Sequence, residues 1–265
     1  MDGITSMSAN GETALRIPGQ LWLEHAKFVR EGPDLVLIGQ DGVKIHIADY
    51  FRQEHPPALR TDTGATFTPE LVAKLAGPIA PGQLAQAAAG AVAQPIGRIE
   101  TISGPVEITR ADGTRVTVAK GDAVYSGDVI ETGAKAAVSM VLADDSVFSL
   151  GDSGRIVLDE MVYDPSAQTG KLGMSLVTGV MSFVSGQIAK TDPDAMVLST
   201  PIATVGIRGT TGSVSSGTTL TIVMSRDPDG TTGEIIISTP GGGVQRIDTN
   251  LGGCPSSEHL AQIGS

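Results

Sequence analysis

Apolar and polar positions alternate with a period of two through the middle of the chain. Val138, Met140 and Leu142 fall on one face of an extended segment, with Ala137 and Ser139 on the other. Val106 and Ile108, Val116 and Val118, Ile156 and Leu158, and Val205 and Ile207 repeat that spacing. Between these runs stand Ala111-Asp112-Gly113, Lys120-Gly121-Asp122, Ser126-Gly127-Asp128, Asp144-Asp145-Ser146 and Asp152-Ser153-Gly154. Gly accepts the left-handed backbone and Asp bonds its own downstream amides, so each of these is turn chemistry. Short strands and turns at this cadence predict an all-β domain. In the run from Gly170 to Ala189, Val177, Met181 and Phe183 share one parity and Leu176, Val180 and Val184 the other, which predicts a strand buried on both sides. Residues 219–225 and 234–238, joined through an Asp227–Gly230 turn, predict a last hairpin.

The N-terminal part reads differently. Residues 1–16 are polar and read as a mobile lead, and Ile17 to Val29, which holds the single Trp22, decides between neither helix nor strand. Leu35–Ile38 and Val43–Ile47 around Asp41-Gly42 predict a β-hairpin, with Val43, Ile45 and Ile47 on one face and Lys44 and His46 on the other. Two strands alone are marginal in water, so this hairpin must pack on something. Thr68-Pro69-Glu70 opens a short helix, since Thr68 can accept from a free amide, Pro69 has none to lose and Glu70 meets the helix dipole. Gly77-Pro78 closes it. The chain thus divides into an N-terminal hairpin-plus-helix region (1–77), an Ala/Gly/Pro linker (78–95), an all-β domain (96–240) and a tail without periodicity (241–265).

The β-domain carries a resemblance. The paired Gly-Asp motifs of KGDAVYSGDVIETG, the strand and turn of VSMVLADDSVFSLG and the terminal TPIATVGIRGT resemble the FecR domain over residues 97–214. The matching positions are Gly121, Asp122, Gly127, Asp128, Glu131, Thr132, Gly133, Thr200, Pro201, Arg208, Gly209 and Thr210. The resemblance implies a non-enzymatic module of bacterial envelopes, built as a short β-solenoid or a small sandwich. Its best-known members relay an iron-siderophore signal from an outer-membrane receptor to a sigma factor; others sit near the start of large surface or secreted proteins. The signal-relaying members carry a membrane helix ahead of the domain, whereas no run of about 18 apolar residues occurs here. The linker around Ala88, Ala89 and Gly90 resembles the di-alanine site at which a periplasmic protease releases large adhesins, although there the FecR-like module precedes the cut and here it follows.

Charge narrows the function classes. Eighteen Lys+Arg face 29 Asp+Glu, a net charge of −11, and no basic run interrupts the excess. Nucleic-acid binding needs a cationic footprint, so it is excluded as an expectation. Cys254 stands alone, so there is neither an intramolecular disulfide nor a cysteine metal site. The first residues show no basic region followed by an apolar stretch, which predicts no cleavable secretory signal and, for an exported protein, a route such as type I export.

Candidate chemistry is sparse. The Gly-Asp pairs lack the spacing of a calcium loop, and their carboxylates read as turn stabilisers. Arg208 between glycines suits an anion contact or the fixing of a strand end. His25, His46, His55 and His259 lack ligand spacing, and no Gly-x-Ser-x-Gly elbow accompanies the serines. The expectation is therefore no catalytic residue, cofactor or metal, and a module that contacts a protein partner or envelope component at the envelope or outside the cell. The alternatives are a periplasmic regulator related to the iron-siderophore relay, a glycan-binding domain, for which 3% aromatic content is poor, and a cytoplasmic location.

Overall fold

The computed structural model describes residues 4–8, 13–18, 22–78, 94–167, 169–192, 194–225, 233–248 and 258–264. The chain divides into two compact units, residues 1–93 with 109–115, and residues 94–108 with 116–264.

In the first unit the strands are β1 (Ile4–Ser8), β2 (Ala14–Arg16), β3 (Lys27–Glu31), β4 (Asp34–Ile38), β5 (Lys44–Ala48), β6 (Ala58–Arg60) and β7 (Thr66–Phe67). The helices are α1 (Trp22–His25) and α2 (Pro69–Ala76). The predicted hairpin is the pair β4–β5, and its Asp41 carboxylate accepts from the Val43 amide at 3.1 Å. It lies inside a four-stranded sheet of order β1-β5-β4-β3; a smaller sheet runs β2-β6-β7. Leu35, Leu37, Ile45 and Ile47 are buried, whereas Val43 precedes the strand and is 40% exposed. Phe28 stacks on Phe67 with ring centroids 5.9 Å apart. Thr68 caps α2 by accepting from the Leu71 amide. Residues 1–16, read as a mobile lead, instead supply β1 parallel to β5 and β2 parallel to β6. Polar side chains such as Thr5, Ser6 and Ser8 suit an edge strand, where the ordering force is the partner's open backbone rather than burial.

Glu24, in α1, is only 2% exposed, and burial pushes its carboxyl up to about 7. The unfolded chain ionises this group near 4.5 and the folded chain does not, so the folded state binds more protons across that window. Stability present below pH about 4.5 is therefore lost as pH rises to about 7, by up to about 3 kcal/mol. Urea unfolding followed by the fluorescence of Trp22 should show the midpoint falling over that range, and the fall should disappear in Glu24→Gln. An equal fall in the variant would remove Glu24 as its cause.

The second unit winds. Its strands are β8 (Gly97–Ser103), β9 (Val106–Thr109), β10 (Arg115–Thr117), β11 (Ala123–Val124), β12 (Val129–Thr132), β13 (Ala137–Leu142), β14 (Val147–Leu150), β15 (Arg155–Asp164) and β16 (Thr169–Val184). There follow β17 (Met196–Ser199), β18 (Thr204–Arg208), β19 (Thr211–Ser216), β20 (Thr219–Ser225), β21 (Glu234–Ser238), β22 (Val244–Asp248) and β23 (Glu258–Gly264). Two sheets share β16. Sheet I runs β11-β8-β13-β14-β16-β19-β20-β23 and sheet II runs β10-β9-β12-β15-β16-β17-β18-β21-β22. The chain passes back and forth between them, and from β12 onward it lays successive strands towards one end, while β10 and β11 close the opposite edges. The domain thus has the two layers of a sandwich and the progressive winding of a solenoid. Inward side chains of both sheets, among them Ile99, Met140, Phe148 and Phe183 from sheet I and Ile130, Leu158, Leu198 and Val205 from sheet II, form one apolar cluster.

The strand β16 bears out the two-sided burial read from its sequence only in its middle, where Met174, Ser175, Leu176, Val177 and Thr178 are all buried, and corrects it at both ends. Its first half pairs with β15 and buries Leu172, Met174 and Leu176; its second half pairs with β14 and β19 and buries Met181 and Phe183. Val180 and Val184 are 49% and 45% exposed. The inward parity changes from even to odd at Val177, the extra residue of a bulge between the Ile156–Leu176 and Arg155–Thr178 pairs, and Gly179, at φ +100°, follows where the strand leaves β15 of sheet II for β19 of sheet I. The tail also differs from its reading as aperiodic: β22 extends sheet II and β23 pairs with β20 of sheet I. Short edge strands need only one face and a free neighbour, so they leave little periodicity to read.

Candidate functional site

The residues singled out by sequence do not converge. They sit where the chain turns or changes sheet. Between β10 and β11, the Asp122 carboxylate accepts from the Ala119 amide at 2.8 Å while Gly121, at φ +92°, donates to the Ile99 carbonyl. Between β11 and β12, Asp128 accepts from the Tyr125 amide at 2.8 Å and Gly127, at φ +87°, donates to the Leu158 carbonyl. The two turns are built alike, and each directs a carboxylate onto its own backbone. Among the described residues no three His, Cys, Asp or Glu side chains come together in a metal-holding group.

The other positions play comparable parts. Thr132, 7% exposed, accepts from the Gly154 amide at 2.8 Å and donates to the Gly151 carbonyl, tying the end of β12 to the β14–β15 connection. Glu131 pairs with Arg155 across β12 and β15 at 2.6 Å. Gly133 donates to the Pro105 carbonyl. Thr200, followed by Pro201, closes the β17–β18 hairpin by accepting from the Ile202 and Ala203 amides at 3.3 and 3.0 Å. Arg208 donates from Nη1 to Glu234 Oε2 at 2.7 Å, and Glu234 Oε1 lies 2.5 Å from Arg246 Nε. Arg208 thus binds a carboxylate of this chain across the strand pair β18–β21. Gly209 and Thr210 carry the chain from sheet II to sheet I, where the Thr210 amide donates to Ser185 Oγ at 2.7 Å. Ala88, Ala89 and Gly90, and the Asp227–Gly230 turn, lie outside the described residues. Residues 219–225 and 234–238 do not form the predicted hairpin: β20 pairs with β19 and β23 in sheet I and β21 with β18 and β22 in sheet II.

Sequence reasoning took Asp144 and Ser146 only as a turn. Asp144 is fully buried, and its carboxylate accepts from the Ser146 amide (3.1 Å), the Ser146 hydroxyl (2.8 Å) and the Ile188 amide (3.2 Å). The Ser146 hydroxyl in turn accepts from the Gly186 amide at 2.9 Å, and the Asp144 carbonyl from the Gln187 amide at 2.8 Å. This node fixes the β13–β14 turn to the segment leaving β16. A Cβ at Gly186 would lie 2.1 Å from the Asp144 carbonyl oxygen, so only glycine allows the approach.

With the motifs committed to the fold, the surfaces left for function are the outward faces and the sheet edges. They contrast. The outward side of sheet II carries Glu131, Arg155, Arg208, Glu234 and Arg246, joined in cross-strand ion pairs. The outward side of sheet I, over the five adjacent strands β13, β14, β16, β19 and β20, carries no charge at all. Its register sets Ser139, Ser149, Ser182, Ser213 and Val223 in one row, flanked on one side by Val141, Val147, Val184 and Thr211. On the other flank Val180, Ser215 and Thr221 form a third row. All are partly or fully exposed, and no side chain there is larger than valine. At the edge of sheet II, β22 pairs only with β21 among the described residues, and its Val244 is 71% exposed.

The family model described as FecR protein matches residues 128–227. No curated protein matches the chain. Among solved structures, a cell surface anchoring domain is 22% identical over 23% of this chain and 82% of its own length, with a TM-score of 0.23. Two crystal structures of a protein described as an anti-sigma factor from Parabacteroides distasonis are 11% and 12% identical, with TM-scores of 0.33 and 0.34. Each is covered over 59% of its length by 51% of this chain, so the chain spans less than two thirds of them. No helix among the described residues is long and apolar enough to cross a membrane.

Proposed function

We propose that this chain, which contains a FecR domain, is a non-enzymatic binding module of the bacterial envelope whose partner is another protein. The observation that carries the reading is the FecR match over residues 128–227, since that family is one of envelope-associated signalling proteins. The site geometry supports it from a second direction. Asp122, Asp128, Thr132, Asp144, Thr200 and Arg208 each direct a polar atom to this chain's own backbone or side chains, which favours recognition by surfaces. The edge strand β22 offers a row of backbone donors and acceptors to an extended segment of a partner, the mode by which an exposed edge gains a strand. Export to the envelope or beyond remains part of this proposal, as does a regulatory outcome of the contact.

Location and contact are tested together. A photo-crosslinking amino acid placed at Val244 in the producing cell, with a C-terminal tag followed through cytosol, periplasm, membrane and medium, should give a protein adduct in an envelope or external fraction. The same probe at Val43, in the first unit, serves as the position control. A tag confined to the cytosol would overturn the envelope reading, and absence of any Val244-specific adduct would overturn strand addition at β22.

A further inference from the structure

We infer that the charge-free outward patch of sheet I over β13, β14, β16, β19 and β20, bordered on β8 by the ion pair Arg98–Glu100, is a self-association surface, and that its occupant is the same patch of a second copy of this chain. The inference does not depend on the protein partner proposed above. It rests on a distribution that composition alone would not produce. The chain has 47 charged side chains and a net charge of −11, yet the outward positions of five consecutive strands hold only Ala, Ser, Thr and Val. Solvated β-faces ordinarily carry charge, as sheet II does, because charged side chains oppose unwanted packing.

Three features select a second copy as the occupant. Two chains of −11 repel, so a lasting contact requires a patch free of carboxylates on both sides, and this face meets that condition with itself. Each hydroxyl of the row Ser139, Ser149, Ser182 and Ser213 both donates and accepts, so the row is complementary to its own copy. Ser149 already donates to Ser139 at 3.1 Å within the face. Small side chains also allow two sheets to approach at about 10 Å, with Val180 and Val184, 49% and 45% exposed, supplying the apolar contact. Five strands about 4.8 Å apart, with three outward residues each, give a footprint of about 24 by about 20 Å. Two such footprints bury about 1,000 Å², the lower limit for a specific interface, so the dimer is weak and concentration-dependent.

Sedimentation equilibrium of the full chain between about 1 and about 300 μM tests this. The mass should rise from 27.1 kDa towards twice that value, and screening of the like net charges should strengthen association at about 0.5 M salt. Ser182→Glu, which sets a charge in the centre of the face on both copies, should weaken association by more than about 100-fold. Ser199→Glu, on the outward side of sheet II, should leave it within about twofold. Far-UV circular dichroism establishes that each variant is folded, and Ser213→Arg takes the place of Ser182→Glu should the latter not fold. A chain that stays monomeric throughout, including one whose face takes up some other molecule instead, overturns the inference. So does a dimer that survives a folded Ser182→Glu.

Discussion

Asp144→Ala should cost the second unit about 3 to 5 kcal/mol, the largest loss expected from any single polar side chain in the described residues. The aspartate is fully buried and accepts from two amides and a hydroxyl. Its removal leaves the Ile188 and Ser146 amides and the Ser146 hydroxyl to find other partners, each at about 1 to 3 kcal/mol when buried and unmade. The Ser146 hydroxyl also holds the Gly186 amide, so the loss passes from the β13–β14 turn to the exit of β16. For a unit of this size each kcal/mol moves the melting temperature by about 2 to 4 °C, which predicts a fall of about 6 to 20 °C by calorimetry. Asp144→Asn keeps one good acceptor and should lose less. Asp152→Ala, on an exposed turn, should stay within about 0.5 kcal/mol. A fall of less than 2 °C for Asp144→Ala would show that the node is not what fastens these two segments.

Much of this fold was legible because its rules are local. Alternation at Val138, Met140 and Leu142, with a turn at Asp144-Asp145-Ser146, depends on no more than ten residues, and the three apolar side chains are buried as read. The cap at Thr68 and the stop at Gly77 are equally local. What sequence did not disclose depends on distant partners. Nothing in Asp144-Asp145-Ser146 says that Gly186 and Ile188 complete it 40 and 44 residues later. Strands β1 and β2 escape for the same reason: Thr5 and Ser6 are ordered by the open edge of β5, not by a pattern of their own. The outward face of sheet I was partly visible, since serines recur at the outward parity of VSMVL, VFSL and TGSVSS. Only the register aligns them into one row, and register is fixed by turns and bulges far from any one strand.

The same distinction governs where function is read. Gly121-Asp122, Gly127-Asp128, Thr132-Gly133 and Arg208-Gly209-Thr210 are the residues by which the resemblance is found, and each lies at a passage between sheets or at a strand end. A motif that repeats because the chain must turn there identifies the winding, not the ligand. Faces and edges are free to vary on that scaffold, which is why one fold carries different partners.

Gly179→Val provides the sharpest test of the winding itself. The residue sits at φ +100°, a region that a β-branched side chain hardly enters, and an added Cβ would lie 2.6 Å from the Gly154 Cα. The obstacle is backbone of β15's approach, not the end of a flexible side chain, so neither strand can yield without disturbing the pairing of β16 with both sheets. Strain and overpacking together exceed about 3 kcal/mol, a large fraction of a domain's stability. Gly179→Val should therefore lower the melting temperature of the second unit by more than about 6 °C. Val180→Ser, one residue on, should change stability by no more than about 0.5 kcal/mol, because that side chain is 49% exposed. The pair separates two accounts of the same run of residues. If β16 were buried on both faces along its length, Val180 would be the costly position and Gly179 a tolerant one. If the strand changes sheets at Gly179, the order of the two effects reverses, and a Gly179→Val chain that melts like the parent would refute the passage between sheets described here.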